Sequence, residues 1–454
     1  LLDLEAELHM GKRFKFEAFW TRAEGFMQKV EELWNSVPRE ESPYVTLDLK
    51  LRATAKGLKK WSGRWIGNVK LQIGIAMEVI ARLDAAMDTR TLSPQERDLR
   101  RMLKLKLLGL CSLERTIARQ RSRILSLREG DANTSFFHQH ACHRQRRNMI
   151  TTIRNGDTTA STHDETANEV DDYYTNVFAG ALGRAHTIDL SLLDLPTMDL
   201  THLDQPFTEE EVEKFVKTMP MDKAPGPDGF TGRFFAFCWP IIKDDLMRAL
   251  HTFHHGDMRG LHAINKAIVA LLPKRDGAVD IRDFQPVSLI HGAIKIFDKT
   301  LASRLAVDLP FIVGKHQSAF VRGRTIHDNF MLDQCTAHKL HALRDPAIML
   351  KLDISKAFDL VQWPFLLEVL RKAGFGGRWI TWICGMLASA STRIMVNSTP
   401  GRPIYNTVGL RQGAPLSPMR FILIMEPLHR MFELATAKGL LQPLARTGLH
   451  HRLS

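Results

Sequence analysis

Residues 347–359, AIMLKLDISKAFD, constrain this chain more than any other stretch. Residues 347–352 are few and mostly apolar, which predicts a strand set into a core. Asp353 ends that run, and a carboxylate beside a buried strand is costly unless a positive group compensates it. Ser355, Lys356 and Ala357 suit a turn, Phe358 is bulky and apolar, and Pro364 is placed to open a helix. Strand, aspartate, turn, aromatic, helix is a geometry that can hold a metal ion. The same aspartate can instead cap the next helix, and on these residues alone both readings stay open. Asp359 fits a role in capping or orienting that helix better than a role in binding metal.

At 454 residues the chain is too long for one ordinary core, and two or three domains are expected. No apolar run approaches the roughly 18 residues of a membrane span, so no membrane partner is expected. Five scattered cysteines without a CxxC pair argue against a disulfide framework or a zinc ribbon. The chain begins with Leu1, not Met, which leads us to expect a piece of a longer protein. Its net charge of +12 is unevenly spread. Residues 100–147 carry twelve Lys/Arg against three Asp/Glu, and residues 151–211 carry two against thirteen. A basic block of this kind fits a polyanion, most simply nucleic acid, and fits a solvated helix face as well.

Three segments follow. Residues 1–150 are expected to form a basic helical arm, with breaks at Pro38 and Pro43 and a helix start at Ser93-Pro94-Gln95-Glu96. Helices are predicted over about 46–65, 69–87, 94–127 and 135–147. A metal site at His138, His140, Cys142 and His143 is disfavoured, since neighbours on a helix point different ways. Residues 151–206 are expected to be an acidic, loosely structured connector with a hairpin at Asn155-Gly156 and a helix over 165–178. In residues 207–454, Thr208 caps a helix, 267–272 is a buried strand and 317–329 is a basic loop leading to a helix. A hairpin turns at Thr399-Pro400-Gly401. Residues 409–418 form a glycine-bearing loop that opens a helix with Ser417 as its cap.

The ordered series APGPDG (224–229), LLPK (271–274), FQPVSL (284–289), QSAFVRGRTIHDN (317–329), KLDISKAFD (351–359) and GLRQGAPLSP (409–418) resembles the reverse transcriptase of LINE-type, non-LTR retrotransposons. FKFEAFW (14–20) and REGDANTSFFH (128–138) resemble the linker between the endonuclease and the polymerase of such elements. The resemblance implies an α+β fold: the helical arm, then a right-hand polymerase domain with fingers and part of a palm. It implies extension of a DNA primer on an RNA template from deoxynucleoside triphosphates, with two Mg²⁺ ions. It also implies work in the nucleus.

Residue by residue, Asp353 matches the first metal-binding carboxylate, and Ile354 the position whose backbone carbonyl joins that site. Phe358 matches the aromatic beneath the incoming sugar. Gln412 and Gly413 match the loop that meets the template base and nascent pair, and Lys274 a cation for the triphosphate. Arg115, Arg119, Arg121 and Arg123 are the candidate RNA contacts of the basic arm.

Two departures weigh against activity. Gln285 stands where such enzymes carry an arginine that grips phosphate bidentately; Arg282 is the nearest cation before it in the chain. From Gly413 to Ser454 there is no aspartate, and the only glutamates are Glu426 and Glu433. The second metal-binding motif, an aromatic, a small residue and two aspartates, is not found after Gly413, and these residues are expected to include neither the thumb nor the preceding endonuclease of such proteins. One carboxylate cannot hold two ions at the spacing phosphoryl transfer needs. The expectation is a polymerase by descent that is catalytically incomplete over these residues. The alternative is a non-catalytic nucleic-acid-binding remnant.

Overall fold

The computed structural model describes residues 13–66, 69–122, 134–180, 187–344, 348 and 350–441. A short 3₁₀ turn at Ala18–Arg22 leads to α1 (Phe26–Asn35), α2 (Pro43–Ile66), α3 (Val69–Met87), α4 (Pro94–Ser122) and α5 (Thr134–Arg147). A hairpin of β1 (Ile153–Asn155) and β2 (Thr158–Ala160) precedes α6 (His163–Ala179). Then come α7 (Glu209–Thr218), α8 (Gly232–Phe237), α9 (Trp239–His254), β3 (Lys266–Pro273), β4 (Phe284–Ile290), α10 (Gly292–Ile312) and α11 (Ile326–Ala342). The described chain closes with α12 (Trp363–Lys372), α13 (Gly377–Ala388), β5 (Ser391–Val396), β6 (Thr399–Pro400), β7 (Ile404–Tyr405) and α14 (Ser417–Ala437). The architecture is α+β, with a mixed sheet set among helices.

Several helix starts follow directly from local chemistry. Ser93 Oγ accepts the Glu96 N–H while the Glu96 carboxylate accepts the Ser93 N–H, a reciprocal cap. Thr162 and Glu165 repeat it at the start of α6. Thr208 caps α7 by accepting the Glu211 N–H at 3.2 Å.

The sheet runs β4-β3-β5-β6, with β7 also paired to β5. Strand β3 is antiparallel to β4 and parallel to β5. A parallel pairing needs a long crossover, and here α10 to α13 supply it. One sheet face, with Val269, Leu271, Phe284, Ile394 and Ile404, packs on Val170, Tyr174 and Phe178 of α6 and on Ile153 of β1. Residues alternate across a strand, so Leu272, Gln285 and Arg393 stand exposed on the other face.

The main core draws on distant parts of the chain. Phe16, Trp34, Leu47 and Leu58 are buried with Phe234, Phe253, Phe297, Trp382 and Leu423. The first part of the basic segment thus packs with the later domain, while α3 lies mainly against α4, and α4 also against α5. One buried ion cluster locks this packing. Asp245 on α9 accepts from Lys50 Nζ at 2.7 Å and from Trp34 Nε1 at 2.8 Å, and Arg248 pairs with it too. Burial raises the Asp245 pKa, but these donors outweigh it and hold the carboxyl below its ordinary range.

Four expectations are corrected. Residues 350–354 form no strand and are exposed, with Leu350 and Leu352 at 77% and 68% exposure. A strand needs a neighbour for its N–H and C=O groups, and none of the described strands pairs with this segment. The connector is irregular but not loose: Leu190, Leu193, Leu195, Leu200 and Leu203 are buried in the main core between its acidic residues. The hairpin after β5 turns at Asn397 and Ser398, both in the left-handed region, ahead of Thr399. Ser417 is the first residue of α14 rather than its cap, and Leu416 occupies the cap position. Residues 284–289, given no element by the sequence reading, form β4, fully paired with β3.

Lys50→Met leaves Asp245 buried with less compensation. It should lower stability by about 3 kcal/mol, read as a fall in the urea midpoint. A wild-type midpoint would show that the Lys50–Asp245 contact does not hold α2 to α9.

Candidate functional site

The loop before α14 is where distant motifs meet. Gly409 N–H donates to Val361 O at 2.8 Å, and Leu410 N–H to Phe358 O at 2.7 Å. Trp363 Nε1, at the start of α12, donates to Gly409 O at 2.8 Å. Residues 409–410 are therefore zipped onto residues 358–363. Gly409 has φ +84°, and a Cβ there would lie 2.6 Å from Asp359 O. Gly413 has φ +91°, and a Cβ there would approach Ser288 O of β4 to 3.2 Å. Both positions need glycine, one for close approach and both for the left-handed backbone.

Gln412 lines a small cleft with Asp359, Ser288, Pro286, Thr392 and Asn406. Phe358 is half-buried and stacks on Phe421 of α14, with ring centroids 4.7 Å apart and planes 20° apart. Lys356, with φ +52°, donates to Tyr173 Oη of α6 at 2.7 Å. Asp359 is buried, and burial pushes its pKa up to about 6, opposed by Lys356. It does not cap α12, whose cap position is Gln362.

The Arg411 guanidinium donates to Asn265 Oδ1, to Asn265 O at 3.0 Å and to Ser391 O at 2.9 Å. Asp298 of α10 accepts the Leu416 N–H at 3.0 Å and faces Arg420 at 3.5 Å. Burial raises the Asp298 pKa, with Arg420 opposing. Burial lowers that of Arg411 to about 10, with Asp298 opposing. The sequence reading missed this buried set. A loop arginine beside Gln412 looks like a surface cation until the fold encloses it.

The other expected residues lie further out. Lys274 follows β3 five residues beyond Val269, the partner of Ser288, which is roughly 17 Å along the strand direction. It is exposed, and its Nζ donates to Arg282 O at 2.9 Å. Gln285 is exposed opposite Leu272. Arg282 grips Asp280 through Nε and Nη2 at 2.9 and 2.8 Å, so it is already committed to a neighbouring carboxylate. Asp353 and Ile354 are exposed, Ile354 at 50%.

On α4, Arg115 and Arg119 are half-buried and engaged by neighbouring groups. Arg123 and the Arg121 side chain lie outside the described residues. So do residues 128–133 of the linker-like motif and the His138 side chain. Of the aromatics there, Phe137 is buried and Phe136 exposed.

A pair of Mg²⁺ ions needs several oxygen ligands in one place. Among the described residues no group of three or more His, Cys, Asp or Glu is arranged to hold a metal. Glu426 accepts from Gly314 N–H at 2.9 Å and from Arg430 at 2.8 Å, and Glu433 pairs with Arg430 and His429. Neither is free to join Asp353, so the described donors do not fit a two-ion centre. No described helix is long and apolar enough to cross a membrane.

The glycine-hinged 409–413 loop is thus seated against the sheet beside the half-buried Phe358, while Lys274 lies at the far end of β3. Residues 272–443 match the family described as "Reverse transcriptase (RNA-dependent DNA polymerase)". Residues 272–443 thus carry a reverse-transcriptase domain similar to those of LINE-type, non-LTR retrotransposon proteins. The chain is 27% identical over 412 residues to the "Transposon TX1 uncharacterized 149 kDa protein" of Xenopus laevis, covering 89% of this chain and 31% of that protein. It is 26% identical over 234 residues to the "Retrovirus-related Pol polyprotein from type-1 retrotransposable element R2" of Nasonia vitripennis, covering 51% and 22%. The type-2 R2DM polyprotein of Drosophila melanogaster shares 24% identity over 211 residues, covering 46% and 19%. The chain thus spans less than a third of the length of each of these curated relatives.

Asp359 supplies a pH test. Its folded pKa of about 6 lies above the ordinary 3.8, so protonation favours the fold. Its contribution is fully present below about pH 4 and is lost as pH rises through about 6, by roughly 3 kcal/mol at most. Urea midpoints should fall between pH 4.5 and 7 more in the wild type than in Asp359→Asn. Equal falls would place the titration elsewhere.

Proposed function

We propose that these residues are the template- and nucleotide-binding portion, fingers and part of the palm, of a non-LTR retrotransposon polymerase that extends a DNA primer on an RNA template. The observation that carries this reading is the seating of the Gln412–Gly413 loop on Phe358 and Ser288 inside the family match. Gln412 and Gly413 would meet the template base and nascent pair. Phe358, held by Phe421, would lie beneath the sugar of the incoming deoxynucleotide. Lys274 would meet its triphosphate, with Gln285 contributing no charge.

In the whole protein Asp353, with the Ile354 carbonyl, would supply one part of a Mg²⁺ site. Because the described donors do not complete that site, residues 1–454 alone are proposed to be inactive. The basic helices α4 and α5, with Arg115, Arg119, Arg121 and Arg123, would hold RNA. Arg147 of α5 pairs with Asp276 in the β3–β4 connection at 2.9 Å, which would bring this basic surface beside Lys274.

A second reading, nucleic-acid binding without catalysis, is favoured by the lack, among the described residues, of any group of three or more His, Cys, Asp or Glu arranged to hold a metal.

Purified residues 1–454 should bind an RNA/DNA hybrid with strong salt dependence, since counterion release dominates such contacts. Neutralising Arg119, Arg121 and Arg123 together should weaken binding and flatten the salt slope; unchanged affinity would remove α4 from the RNA surface. The same chain should show no Mg²⁺-dependent primer extension. Extension that Asp353→Asn abolishes would establish a complete centre and overturn both the inactivity and the binding-only reading.

A further inference from the structure

We infer that Arg411 is the positioning residue of the Gln412–Gly413 loop, fixing it for the template through Asn265 and Ser391 without touching nucleic acid. The inference rests on the proposed template role of Gln412 and Gly413.

The loop is bounded by glycines at 409 and 413, both left-handed. Leu410 is held to Phe358 O by its N–H, and Arg411 is the side chain that ties the loop beyond that point to the sheet. Its three hydrogen bonds end on Asn265, which immediately precedes β3, and on Ser391, the first residue of β5. Asn265 is itself buried and fixed. Its Nδ2 donates to Met386 O at 2.7 Å and to Ser389 Oγ at 2.8 Å, at the end of α13, and its carbonyl also accepts the Ser391 N–H at 3.2 Å. One guanidinium therefore joins the loop to two strands and, through Asn265, to a helix end.

The planar shape of the guanidinium makes the tie specific to arginine. Arg411 and Arg420 line one small cavity of about 40 Å³ together with Asp298, Asn265 and Ser417. Asp298 holds the far end of the loop through the Leu416 N–H. The Nε atoms of Arg411 and Arg420 are enclosed and have no protein acceptor. The cavity has room for water, which can accept from such donors. A planar fork can serve Asn265 Oδ1, Asn265 O and Ser391 O at once, whereas a lysine ammonium is a point donor that cannot span them.

The test compares wild type, Arg411→Lys and Arg411→Met in the full chain. Three measurements are made: thermal unfolding, amide hydrogen exchange of peptides covering 409–416, and affinity for a fluorescent RNA/DNA hybrid across a salt series. For Arg411→Lys the expected result is a cooperative fold with loop exchange about tenfold faster and β3 and α13 exchange unchanged. Hybrid affinity should fall by about tenfold with the salt slope unchanged, because no phosphate contact is lost.

Unchanged loop exchange overturns the inference, and so does a loosened loop with unchanged hybrid affinity. A salt slope reduced by about one unit also overturns it, because that would mark Arg411 as a phosphate contact. If Arg411→Met fails to fold, Arg411→Lys decides alone. A wild-type chain that binds no hybrid overturns the template reading and this inference with it. A wild-type chain that binds, matched by Arg411→Lys, overturns the inference alone.

Discussion

Strand β3 is paired along both edges, antiparallel to β4 and parallel to β5, and much of the molecule follows from that pairing. The antiparallel partner comes from a short connection at Asp276-Gly277. The parallel partner must arrive by a long crossover, because two strands running the same way cannot be joined by a tight turn. The crossover carries the chain through α10, α11, α12 and α13. It returns the chain at Ser391, beside Asn265, and the loop that follows β7 is thereby laid across the sheet. Gln412 reaches β4 for this reason, although more than a hundred residues separate them.

The same pairing creates a burial problem that the loop resolves. Asn265 is buried immediately before β3 and Ser391 begins β5, and the carbonyl groups there must be satisfied. Arg411 satisfies them, and Asp298 offsets part of its charge. A buried ion set of this kind is seldom a large net source of stability, because desolvation opposes it. Its effect is to select one geometry. The Asp245 cluster acts likewise where α1 and α2 meet α9: Lys50, Trp34 and Arg248 converge on one carboxylate, and loss of any donor would leave a buried charge less compensated.

Helix positions were legible because their signals are local. Ser93 with Glu96, Thr208 with Glu211, and Pro38 and Pro43 each act within one or two turns, and the helices begin and end close to where those residues put them. The hairpin at Asn155-Gly156 was legible for the same reason. Strands were less so. Residues 284–289 carry a proline and mixed polarity, yet they form β4, because β3 offers a full edge. Residues 347–352 have the stronger strand pattern, yet 350–354 stay exposed and unpaired, because strand formation is settled by a neighbour and not by the segment itself. The leucines at 190–203 were hidden among acids, and only the groove between other elements buries them.

The sequence by itself determined the resemblance to reverse transcriptases, the order of the motifs and the residue types at the candidate site, since each motif is a contiguous run whose chemistry can be read without coordinates. It also exposed the shortage of carboxylates after Gly413. Tertiary structure decided which of those residues meet. It seats the 409–413 loop against Phe358 and Ser288, sets Lys274 at the far end of β3, leaves Asp353 exposed and encloses the Nε of Arg411. The reason is physical: burial and pairing depend on partners remote in the chain, and a local pattern carries no information about which partner arrives.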